Sequence, residues 1–147
     1  MKLWLTWVLL ATVAVATVAG CGGAGASGAS AADADRARAA DRLQGRWVLV
    51  EFRPEQPLEP MLAGLLAAQL GALTLTFQGG SADVQGVGIA ARRTFRVTEA
   101  AGDGARIVLS DPDGTSYDVL GTFQGNAVAF TALTAPWRGT GRLIRSQ

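Results

Sequence analysis

Beyond residue 42 the apolar positions recur at two spacings: every second residue over most of the chain, and every third or fourth residue in one segment. The two-residue spacing predicts strands. "RWVLVEF" is β-branched and aromatic and runs out at Pro54 and Pro57. "ALTLTFQ" alternates strictly, with Leu73, Leu75 and Phe77 on one face and Thr74, Thr76 and Gln78 on the other. The segments "ADVQGVGI", "RTFRVTE", "ARIVLS", "TSYDVLGTF" and "AVAFTAL" follow, and a last strand runs from about Trp137 to Ile144. Between them stand turn signals such as "GGS", "AGDG", "DPDG" and "QGN". About eight short strands at a spacing of roughly ten residues predict an all-β domain, a small antiparallel up-and-down barrel.

The exception is "PLEPMLAGLLAAQL", where Leu58, Met61, Leu62, Leu65, Leu66 and Leu70 recur at helical spacing. It predicts a helix over about 60–70, between strands one and two. The side bearing Ala63, Gly64, Ala67 and Ala68 is uncharged too, so both faces are suited to contact with protein. A plug or lid across one barrel end is the reading favoured. A lipid-facing anchor is the alternative, but membrane-surface helices carry Lys or Arg on a polar face and this one does not.

The first 42 residues have a different pattern. Lys2 is followed by an apolar run over 3–18, then Ala19, Gly20 and Cys21, the layout of a secretory signal. Val18-Ala19-Gly20-Cys21 resembles the lipobox of bacterial lipoproteins. The resemblance implies a signal peptide over 1–20, cleavage between Gly20 and Cys21, and a diacylglyceryl group on the Cys21 sulfur. A second acyl signal on the new N-terminus would make the anchoring stable. Gly22, where an aspartate would retain such a protein at the inner membrane, favours the outer membrane of a cell envelope. Residues 21–42 then read as the lipidated cysteine and a flexible tether. "GGAGASGASAADADRARAA" has no large apolar residue with which to offset its ordering entropy, although Asp33 to Leu43 is Ala-rich enough for a short frayed helix. The folded domain is expected over 43–147.

Charge and composition narrow the function classes. Lys2 is the only lysine, and beyond it twelve arginines balance twelve acidic residues, without the basic excess of a nucleic-acid binder. Histidine is absent, and Cys21 is the only cysteine. The usual general base and the commonest metal ligand are therefore missing, and no metal site or cofactor is expected. With no nucleophile elbow and no lysine in the mature chain for a Ser/Lys dyad, an enzyme is not expected either. Asp111 and Asp113 in "DPDG", with Asp118 nearby, echo a calcium loop, but Pro112 and Gly114 suit a β-turn.

"LQGRWVLVEF" resembles the opening strand of lipocalins and their calycin relatives, in which Gly-x-Trp, here Gly45-Arg46-Trp47, begins the barrel. The helical segment between strands one and two is similar to the lid of fatty-acid-binding proteins. The resemblance covers 43–145, with a loose echo of a Thr-Asp-Tyr signature in Thr115-Ser116-Tyr117. It implies that an arginine near the last strand lies across the Trp47 indole, with Arg142 the first candidate and Arg145 the second. It also implies a carrier for a small apolar ligand, in a cavity lined by Leu73, Leu75, Phe77, Phe95, Tyr117 and Phe123. A packed barrel serving as a structural or protein-interaction module is the alternative. Tyr117 reads either as a core tyrosine or as a ligand contact. Of Arg92 and Arg93, at most one enters the barrel, because neighbours in a strand point to opposite faces.

Overall fold

A computed structural model of the chain describes residues 30–147. The expected signal segment 1–20, its expected cleavage point at Gly20 and the expected lipidation site at Cys21 lie outside the described residues. Within them the strands are β1 (Gly45–Pro54), β2 (Thr74–Gln78), β3 (Ser81–Gly86), β4 (Ile89–Ala101), β5 (Gly104–Ser110), β6 (Ser116–Gln124), β7 (Ala127–Ala132) and β8 (Gly139–Arg145). Each pairs antiparallel with its sequence neighbour, and β1 pairs with β8 to close the barrel. Closure leaves no unpaired sheet edge. Helix α1 (Ala31–Leu43) precedes β1, and α2 (Pro60–Gln69) joins β1 to β2.

The alternation of apolar residues decides what faces inward. In β5, Ala105, Ile107 and Leu109 are buried while their neighbours are partly exposed. Two bulges change that phase. In β1 the register passes from Leu49↔Leu143 to Glu51↔Arg142, so Val50 and Glu51 both lie between inward Leu49 and Phe52. In β4 the step from Val97↔Ile107 to Glu99↔Arg106 does the same around Thr98. The segment "ADVQGVGI" is not one strand: a hairpin turn at Val87-Gly88 divides it between β3 and β4, with Gly88 at φ +68°.

Helix α1 corrects the expected tether, which covered residues 21–42. Residues 31–42 belong to the folded unit. Ser30 and Asp33 form a reciprocal capping box at its start. At its far end Ala39 and Leu43 are buried in the barrel core, and Arg42 pairs with Asp103 at 2.7 Å. Apart from Leu43 at its end, the helix packs through small alanines rather than large apolar side chains.

The same end of the barrel is sealed around Trp47. Its indole is almost wholly buried and donates from Nε1 to the Leu43 carbonyl at 2.7 Å. The arginine over it is Arg145, whose guanidinium carbon lies 4.5 Å from the ring centroid. Arg145 also donates to the Gln44 and Arg42 carbonyls at 2.7 and 2.6 Å, so a cation closes the C-terminal end of α1. The expected partner, Arg142, is exposed and lies opposite Glu51 on the outer face. The reason is register: Trp47 pairs with Arg145, and Arg142 is out of phase with inward Leu143. Gly45 is needed beneath this contact, since its φ is +107° and a side chain there would come within 3.0 Å of Arg145 Nη1.

Candidate ligand cavity

Eight strands enclose either a filled core or room for one small ligand. Here the half nearest α1 is filled. Phe77 and Phe95 meet edge to face with centroids 5.0 Å apart, and Phe123 lies under the Arg42 guanidinium at 4.2 Å. The other half is hollow, a cavity of about 520 Å³. Its walls are Leu49, Phe52, Leu73, Leu75, Phe77, Val84, Val119, Val128 and Phe130, among others. Phe52 and Phe130 stack with centroids 6.1 Å apart. Gly141, inward on β8, leaves the space that the Phe130 ring fills.

Of the six residues expected to line a cavity, Leu73, Leu75, Phe77 and Tyr117 do so. Phe95 and Phe123 face inward but belong to the filled layer nearer α1. Phe123 is the last inward residue of β6 before the turn at Gly125, so it sits at the sealed end. The wall residues that went unnamed are spread over α2 and nearly every strand, and the inward phase of those on β5 and β7 could have been followed along "ARIVLS" and "AVAFTAL".

Helix α2 covers the mouth as a lid. Pro60 starts it at a position where no N–H is needed, and Gly71 at φ +78° turns the chain out of it. Leu62, Leu65, Leu66 and Gln69 line the cavity from above. Gln69 is buried and reads both backbone groups of one residue in the β3–β4 turn, donating to the Val87 carbonyl at 2.8 Å and accepting from its N–H at 3.0 Å. Gly86 makes that latch possible, because a Cβ there would collide with the Gln69 amide. The first turn has no such bond, and Glu59 gives no side-chain cap. Around the mouth Leu65, Val87, Ile89 and Trp137 both line the cavity and stay well exposed.

Polar chemistry gathers on one side of the mouth. Arg93, in phase with inward Phe95, lines the cavity, while Arg92 points out and pairs with Asp83 at 2.8 Å. Arg93 donates from Nε to Asp111 at 2.6 Å and stacks over the Tyr117 ring at 4.4 Å. Hydrogen bonding to Asp111 raises the Tyr117 phenol above its ordinary value, so it stays protonated through the neutral range. Asp118, also at the wall, is gripped by Arg106 from Nε at 3.0 Å and Nη2 at 2.5 Å, and those hydrogen bonds lower its carboxyl below the usual value. Asp113 accepts from the Thr115 N–H at 2.8 Å within the turn. The three aspartates thus serve three separate partners, and among the described residues no group of His, Cys, Asp and Glu is arranged to hold a metal.

A closed eight-stranded antiparallel barrel with an apolar interior and a helical lid is the class that fold and site define. No family model, curated protein or solved structure matches the chain.

Proposed function

We propose that this chain is a membrane-anchored, lipocalin-like lipoprotein of a bacterial cell envelope whose barrel binds a small apolar or lipid ligand. The observation that carries the reading is the cavity of about 520 Å³ beneath α2, within the range of roughly 300–1,000 Å³ usual for sites that enclose a small molecule. Its wall is apolar, with a few polar groups confined to the mouth, the arrangement that burial of a chain with one polar end requires. The sequence at Val18 to Cys21 supports the anchor, with Cys21 lipidated and Gly22 favouring the outer membrane. The function is binding rather than catalysis. The partners are the membrane, through Cys21, and a small hydrophobic ligand.

Native mass spectrometry on the chain purified from its own host tests this reading. A co-purifying lipid or other apolar species of uniform mass, released on denaturation, is the expected result. An empty barrel that also fails to take up added apolar ligands would overturn it. A second reading, a protein-interaction module, is favoured by one observation: Met61, Leu65, Val87, Ile89 and Trp137 expose apolar surface on α2, the start of β4 and the loops of one barrel end.

A further inference from the structure

We propose that the cavity selects a single-chain amphiphile with an uncharged polar head, held at the mouth by Arg93, and discriminates against a free carboxylate on the same chain. The inference rests on the reading of the barrel as a ligand carrier and names the class of ligand.

The mouth offers a cation whose charge is already spent. Arg93 presents Nε and Nη2 to Asp111, at 2.6 and 3.5 Å, and the two side chains are only 25% and 19% exposed. Asp111 stands behind Arg93 rather than in the cavity wall. The other charged residue of the wall, Asp118, is matched by Arg106. A ligand therefore meets two closed ion pairs and no net positive field.

Burying an anionic head against such a wall removes its hydration without supplying a counter-charge, and that cost opposes binding. Sharing Arg93 would bring the carboxylate up to Asp111, a like charge. A hydroxyl or ester oxygen escapes both penalties. Arg93 Nη1 has no hydrogen-bond partner among the described residues, and it donates to a neutral acceptor as readily as to a charged one. The apolar wall beneath takes the tail, and a single chain suits the volume.

The test is displacement of a bound fluorescent apolar dye, 1-aminoanthracene, from the full chain by monodecanoylglycerol and by decanoate at neutral pH. The glyceride is expected to compete at a concentration about tenfold or more below that of decanoate. In Asp111→Asn the Arg93 charge is left uncompensated, and decanoate is expected to gain about tenfold while the glyceride changes little. Equal or tighter competition by decanoate in the unaltered chain would overturn the proposal, and that comparison does not depend on whether the variant folds. An unchanged preference in a folded Asp111→Asn chain would overturn it too. Failure of the dye and both lipids to bind at all would instead overturn the carrier reading, and this inference with it.

Discussion

Arg145 and Arg142 sit three residues apart on one strand, yet the fold gives them opposite importance. Replacing Arg145 with alanine removes a guanidinium stacked 4.5 Å from the Trp47 ring centroid, a contact of about 0.5–1 kcal/mol for a cation that keeps some water. It also removes the two bonds to the Gln44 and Arg42 carbonyls, at roughly 0.5–1.5 kcal/mol each. The total expected loss is about 1.5–4 kcal/mol, a drop in melting midpoint on the order of 5–15 °C for a domain of this size. Arg142→Ala removes an exposed side chain from the outer face and is expected to stay within about 0.5 kcal/mol. Trp47→Ala empties a buried aromatic site and costs about 3–5 kcal/mol. Because Trp47 and Arg145 touch, the double variant should show a coupling of about 0.5–2 kcal/mol. Urea denaturation followed by far-ultraviolet circular dichroism measures all four chains without relying on the tryptophan as probe. A larger loss for Arg142→Ala than for Arg145→Ala, or strict additivity of Trp47 and Arg145, would refute the sealed-end geometry.

Other outcomes follow from the same contacts. Deleting residues 31–40 is expected to lower the melting midpoint by on the order of 5 °C or more, since Ala39 and the α1 contacts go with them; an unchanged midpoint would restore the tether reading of that segment. Gly86→Ala pushes the Gln69 amide off Val87, so stopped-flow mixing should show faster dye entry than in the unaltered chain, and an identical rate would mean that Gln69 does not hold the lid. The hydrogen bonds from Arg106 lower the Asp118 carboxyl below its ordinary value of 3.8, so this pair adds stability at neutral pH that is lost as the pH falls through that region. Asp118→Asn should flatten that part of the acid limb, and superimposable acid limbs in the two chains would argue against it. Cys21→Ser should abolish incorporation of a clickable fatty acid during growth, whereas labelling that persists would remove the lipoprotein reading.

The barrel was legible because its turns are written in Gly, Asp, Asn and Pro and its strands alternate cleanly. The lid was legible because the leucines of 58–70 fall at helical spacing. What escaped has physical causes. Burial of α1 depends on alanines, which carry almost no hydrophobic signal, and only Leu43 marked its end. Arg142 and Arg145 cannot be told apart from "RLIR", which sets two apolar residues side by side, so alternation alone does not say whether Leu143 or Ile144 faces in. Pairing with β1 decides it. The bulge at Val50 that turns Phe52 into the cavity leaves no mark on composition. Arg93 could have been chosen over Arg92, since it shares the phase of inward Phe95.

Nuclear Overhauser contacts between a carbon-13-labelled decanoyl chain and the methyl groups and rings of the barrel test the carrier reading most directly. The expected result is contacts from the chain to Leu75, Val128 and Phe130 inside the barrel, and none to outward Leu120. Contacts confined to the exposed rim at Met61, Val87 and Trp137, with the interior silent, would contradict it and leave the mouth as an interaction surface on an unoccupied barrel.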